Sequence, residues 1–216
     1  MRTLYGQQSH FRYPLTRLFG SPGHVRVLRV PADGLASSVM QIAPEAGLTS
    51  QGTRLVLEVL AAQGIVTVKG SARTELFELA AVHPIRSAVV SLFAVEQAGW
   101  EASVAQLREL LGARVGVQAA WLYGSVARGE DKSSSDIDLA LLVLSPDVGD
   151  KVREDFMPME NELNVHVSVT ALTPQDLTAL RDDDGWWADV VCDARVLKGR
   201  SPEAEKKKVR ARLVVA

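Results

Sequence analysis

Apolar positions along the chain change period, and the period sets the element each stretch predicts. In "GHVRVLRV" (23–30) the apolar residues Val25, Val27, Leu28 and Val30 fit one face of a short helix. A second helix is expected around Ser37–Glu45, followed by Gly47 as a turn residue. Thr49 or Ser50 then caps a third helix that runs to Gln63 and stops at Gly64. "IVTVKGSARTELFEL" (65–79) switches to two extended runs, which predicts a hairpin turning at Lys69-Gly70-Ser71. Beyond His83-Pro84 the pattern becomes helical again, with an expected break near Ala98-Gly99 and a packed face at Leu107, Leu110 and Leu111.

The second half has the opposite texture. "VGVQAAWLYG" (115–124) is a short apolar run, then a helix is expected to start near Ser125 and cover "SVARG". After the polar "EDKSSS" the chain re-enters a strand at "DIDLALLVL". A helix around Val152–Glu162, a third strand "NVHVSVTAL" and a last strand near "ARVLKG" complete the pattern. "RDDDG" before Trp186-Trp187 reads as the cap of a packed helix, and "KKKVRAR" near residue 210 reads as a solvated basic tail.

Length and charge refine this into domains. With 216 residues, 47% of them hydrophobic, the chain can hold one large core or two small ones. Residues 1–95 carry nine Lys and Arg against five Asp and Glu, whereas 96–199 carry nine against nineteen. That asymmetry divides the chain into a front domain at 1–95, an acidic domain at 96–200 and a basic tail at 201–216 with different partners. No run approaches the roughly 18 apolar residues of a membrane span, and no signal-peptide segment opens the sequence. With Cys192 as the sole cysteine, neither an internal disulfide nor a cysteine zinc site can form. A soluble, cytoplasmic protein without membrane partners is expected.

The candidate chemistry lies between Leu122 and Leu144. Side chains alternate along a strand, so Asp136 and Asp138 project from one face with Cα atoms about 6.5–7 Å apart. Two ionised carboxylates beside an apolar strand are costly unless they are paired or hold a cation. Mg²⁺ (or Mn²⁺) is a hard ion that shares such oxygen ligands with substrate phosphates. Gly124 lets the backbone approach closely, and Ser125 at a helix start suits a phosphate. The plain alternative is a loop-end cap and an ordinary Gly-Ser turn.

Gly124-Ser125, then residues 126–135, then Asp136-x-Asp138 resembles the fingerprint of the polymerase β-like nucleotidyltransferases, and "GSVARGEDKSSSDIDLAL" is most similar to the minimal nucleotidyltransferases. Those small proteins are often encoded beside HEPN-domain toxins. The resemblance spans about residues 100–199. It implies transfer of a nucleoside monophosphate, AMP from Mg-ATP, to an acceptor hydroxyl on a protein, small molecule or RNA end. Asp136 and Asp138 would hold the metal and act in catalysis, and Gly124, Ser125, Arg128 and Ser135 would bind ATP or another NTP. For Arg128 a structural ion pair is an equal reading. The superfamily's third acid is missing from "NVHVSVTAL", which places His166 or Ser168 where it would stand. His166 could then act as base or ligand, or merely face solvent. The acidic balance of 96–199 disfavours a polyanionic acceptor.

Helix, helix, turn, helix and hairpin over residues 14–83 resembles a winged helix-turn-helix of bacterial regulators. That resemblance implies duplex DNA as a partner, with Ser50, Gln51, Thr53 and Arg54 facing it and Lys69 and Arg73 on the wing. The same fold also serves as a homodimer contact or a spacer. The expected fold class is therefore α/β (α+β): a winged helix-turn-helix followed by a nucleotidyltransferase domain with a small mixed sheet. A regulator or antitoxin whose transferase fold only senses nucleotide or binds a HEPN-type toxin is the alternative.

Overall fold

The computed structural model describes residues 9, 12, 21–71 and 74–215, with side chains described to 212. The chain divides into two compact units, Met1–Trp100 and Glu101–Ala216.

Among the described residues of the first unit, three helices precede a hairpin. α1 (Pro22–Ala32) starts on Pro22, where the missing N–H costs nothing. α2 (Val39–Ala46) opens on Ser38, whose N–H and hydroxyl both donate to Gln41 Oε1 at 2.9 Å, and it ends on left-handed Gly47. α3 (Ser50–Ala62) is capped by Thr49 Oγ1, which accepts from Gly52 N at 3.1 Å. Val27, Ile42, Leu57, Leu60, Val66, Phe77 and Leu79 form the core that these elements share.

The hairpin pairs β1 (Val66–Ser71) with β2 (Thr74–Leu79), antiparallel, from Val66↔Leu79 to Ser71↔Thr74. The expected turn at Lys69-Gly70-Ser71 is therefore displaced. All three residues lie in β1, and the connection falls at 72–73, outside the described residues. Gly70 serves the ladder instead: at φ +97 its position leaves only 2.1 Å between a built Cβ and Thr74 O, so no side chain fits.

The expected helix break at Ala98-Gly99 is also absent, because α4 runs from Arg86 to Ala113 without interruption. A lone glycine costs a helix only about 1 kcal/mol, less than the turns on either side contribute. Within the first unit Glu96 of this helix receives Arg29 of α1 in a two-pronged ion pair, at 2.8 and 3.1 Å, with both side chains buried.

The second unit is built on a four-stranded mixed sheet in the order β5-β4-β3-β6. β3 (Val117–Tyr123) is antiparallel to both β4 (Ile137–Val143) and β6 (Arg195–Lys198), and β4 is parallel to β5 (Val167–Leu172). Besides the end of α4, its helices are α5 (Gly124–Arg128), α6 (Pro146–Leu163), α7 (Pro174–Ala179), α8 (Gly185–Asp193) and α9 (Pro202–Val215). One sheet face presents Ala119, Trp121, Ala140, Leu142 and Leu172 to Leu177, Trp187, Val190 and Val209. α6 packs on β4 and β5, so closely that a Cβ on Gly149 would stand 2.5 Å from Ala171 Cβ.

The basic segment at 202–215 is not a solvated tail. It forms α9, in which Glu205 and Lys206 are buried and Val209 joins the core. Lys206 lays its stem inward and donates from Nζ to Leu180 O at 2.8 Å and Asp182 Oδ1 at 2.7 Å, 5.0 Å from the Trp187 ring centre. A long cationic side chain can cover apolar surface while its head finds partners, which charge counting does not register. No described helix is long and apolar enough to cross a membrane.

Removing Glu96 takes from the buried Arg29 guanidinium the carboxylate that meets it in a two-pronged ion pair. Glu96→Ala should therefore destabilise the protein by about 3–5 kcal/mol, read as a lower denaturant midpoint, and Glu96→Gln should lose less because it retains an acceptor.

Candidate active site

β3 ends at Tyr123, and the next residue begins α5. Gly124 makes that reversal at φ +73, in the left-handed region that favours glycine. A Cβ built there would stand 2.6 Å from Asp138 Oδ2. The glycine of the Gly-Ser motif thus does two things, turning the chain and leaving room for a carboxylate. α5 closes after one turn on left-handed Gly129, and Glu130 N donates to Ser125 O at 2.9 Å. Lys132 N donates to Ser135 Oγ, and Ser135 N to Lys132 O, both at 3.0 Å, so Ser135 closes the turn that delivers the chain to Asp136.

Asp136 is exposed at the mouth of β4, and Asp138 is half-buried one pleat further in. Asp138 pairs in register with Tyr123 on one side and Ser168 on the other. Burial pushes its carboxyl above the usual aspartate range, and the neighbouring charge of Asp136 adds to the shift; Arg128 and a hydrogen bond from the Ser168 hydroxyl pull it back. Arg128 itself is held by Glu130 Oε2 at 2.8 Å and by the buried carboxylate of Asp193 in α8.

Of the expected site residues, Gly124, Ser125, Ser135, Asp136, Asp138 and Arg128 come together on the β3–α5–β4 turn. Arg128 carries the structural ion pairs that sequence reading left as one option. The position beside Asp138 in the third strand belongs to Ser168. His166 precedes β5, is two-thirds exposed, and has Nδ1 at 2.7 Å from Glu160 Oε1 of α6. Sequence reading missed Asp193 and Tyr123. Asp193 lies 65 residues from Arg128, and no local spacing could have joined them. Tyr123 was legible as the residue preceding the motif.

The residues expected to face DNA are placed unevenly. Ser50 and Gln51 are exposed in the first turn of α3. Arg54 is exposed, with Nη1 donating to Glu75 Oε2 at 2.9 Å, and Lys69 meets Glu78 Oε1 at 2.7 Å. Thr53 is corrected: it is fully buried, on the face shared with Leu57 and Leu60, and cannot face DNA. The helical period puts 53, 57 and 60 on one stripe. Arg73 lies outside the described residues.

Because burial raises Asp138's folded pKa above its unfolded value, the folded state prefers the protonated form. The stability this contributes is present at acid pH and is lost as pH rises through the folded pKa. Asp138→Asn, which stays neutral, should therefore raise Tm at pH 7 when divalent metal is chelated. The gain should shrink to nothing as pH falls below the aspartate range. Thermal melts across pH 3–8 check both halves of the expectation.

Residues 105–203 match the family model described as polymerase beta, nucleotidyltransferase. No curated protein matches the chain. Among solved structures, a toxin–antitoxin with AMP-PNP is similar at 19% identity, covering 51% of this chain and 86% of that one with a TM-score of 0.35. Two mutants of the toxin–antitoxin MntA-HpeT are similar at 17% and 20% identity. They cover 52% and 50% of this chain and 84% of each of theirs, with TM-scores of 0.34 and 0.35. The Gly124-to-Asp138 turn lies within the matched segment, and residues 105–203 are a polymerase beta-type nucleotidyltransferase domain.

Proposed function

We propose that the second unit binds a nucleoside triphosphate with Mg²⁺ and transfers its nucleoside monophosphate to an acceptor hydroxyl. The observation that carries this reading is the fit of Asp138 against Gly124, beside Asp136. Arg128 and Ser168 offset part of its cost, and a bound cation would offset the rest. The donor set suits the ion: two carboxylates at a strand mouth, one exposed and one half-buried, leave positions for water and phosphate, as Mg²⁺ prefers. Asp136 and Asp138 would hold it, and when bound it supplies neutralisation of phosphate charge. The chain's own residues do the rest. Gly124 and Ser125 admit the phosphates, Ser168 orients Asp138, and Arg128 fastens α5 to α8.

Nucleotide binding without turnover is favoured as a second reading by two observations. Ser168 stands beside Asp138, and among the described residues no group of three or more His, Cys, Asp or Glu could hold a metal. A hydroxyl at neutral pH is a poor base, and general-base help is worth about 10²–10⁴-fold. Such a protein would sense nucleotide or bind a partner protein, a HEPN-type toxin being the kind the sequence resemblance implies.

For the first unit we infer a winged helix that meets duplex DNA with Ser50, Gln51 and Arg54 of α3 and Lys69 of β1. The three helices and the hairpin support this reading. The ion pairs to Glu75 and Glu78 would open in the complex, so their acids set how readily it forms.

Asp136→Asn with Asp138→Asn should abolish Mg²⁺-dependent ATP binding in calorimetry while circular dichroism stays unchanged. Unchanged affinity would remove the metal assignment. Incubation with labelled ATP and acceptor proteins then separates the two readings, by label transfer or its absence. For DNA, Glu75→Gln should strengthen binding by releasing Arg54, and Lys69→Ala should reduce the salt slope by about one. No gel shift at low salt with any of these proteins would exclude the DNA reading.

A further inference from the structure

We propose that Tyr123 and Trp186 form a nucleoside subsite, in which the Trp186 indole stacks on the base and the Tyr123 hydroxyl donates to an acceptor on the nucleoside. The inference rests on the nucleotide binding proposed above and names the part of the site that would recognise more than phosphate.

Cross-strand partners share a sheet face, and Tyr123 is the register partner of Asp138. Its ring therefore stands on the carboxylate side of the sheet, immediately before Gly124. Trp186, in the first turn of α8, sets its ring edge-on to Tyr123, with centroids 5.9 Å apart at 88°. Its indole N–H donates to Tyr123 Oη at 3.0 Å. That bond uses the phenol as an acceptor, and among the described residues no acceptor takes the phenol's own proton.

The neighbouring Trp187 shows what a core tryptophan looks like here. It is buried, edge-on to Trp121 at 6.3 Å and beneath Lys206. Trp186 belongs to the same turn and packs against the rim of that core, yet it stays only partly buried. α8 packs on β3 and α5, and its far end is fixed by the pair between Asp193 and Arg128. The indole is thus held in place from both ends of its helix, against the tyrosine that pairs in register with Asp138, and part of its ring stays exposed. A flat, rigid ring offered in this way suits stacking on a base, and little freedom is lost when the base arrives.

The test compares two ligands on the full chain by calorimetry, Mg·ATP and Mg·tripolyphosphate, which share the phosphates and differ in the nucleoside. Base–aromatic stacking corresponds to about 5- to 150-fold in affinity, so the unaltered protein should prefer Mg·ATP by about tenfold or more. Trp186→Leu should bring the two affinities within about twofold of each other while tripolyphosphate binding is unchanged, and Trp186→Phe should keep most of the preference. Three outcomes overturn the subsite: no preference in the unaltered protein, a preference retained in Trp186→Leu, or equal loss of both ligands in both variants. If the unaltered protein binds neither ligand, the nucleotide reading itself falls and the subsite falls with it.

Discussion

The second unit depends on one close approach, that of the Asp138 carboxylate to the bare α-carbon of Gly124. β3 must reverse into α5 there, and β4 must lie flat against β3 at the same level. A side chain on residue 124 would separate the two strands at the point where Asp138 pairs with Tyr123. With no side chain, the half-buried carboxylate, the turn and the helix occupy one small volume. The positive φ and the missing Cβ are two requirements met by a single glycine.

That arrangement has an electrostatic cost, and the surrounding residues show how it is offset. Two carboxylates stand near each other, one of them partly removed from water. Arg128 and the Ser168 hydroxyl counter the charge from two sides. Arg128 is in turn committed to Glu130 and the buried Asp193, so its guanidinium ties β4, α5 and α8 into one charge network. The cost falls on the two carboxylates, and the compensation comes from residues brought in by neighbouring elements.

The first unit handles charge in the opposite manner. Its exposed cations on α3 and β1 are met by acids from β2, and its buried Arg29 by Glu96. A tally of residues 1–95 reads as basic, yet within the described part the cations Arg29, Arg54 and Lys69 each have a carboxylate partner. Net charge describes long-range attraction, whereas the pairing decides which cations can leave to meet a phosphate.

Sequence alone determined the features whose causes lie within a few residues. The cap at Thr49, the turn at Gly47, the strands of the mixed sheet and the placing of Asp136 and Asp138 on one strand all follow from local stereochemistry and period. Thr53 was legible too, since it shares a helical stripe with Leu57 and Leu60. Tertiary structure decided whatever depends on partners distant in the chain. Asp193 finds Arg128, Glu75 finds Arg54, Ser168 rather than His166 stands beside Asp138, and Trp186 stays partly buried against Tyr123 while Trp187 enters the core. It also turned a lysine-rich segment into the packed α9 and carried α4 straight through Gly99. The physical reason is common to all of these. Burial and pairing are settled by which surfaces meet after folding, and a window of neighbouring residues contains no record of the surface that will arrive from elsewhere.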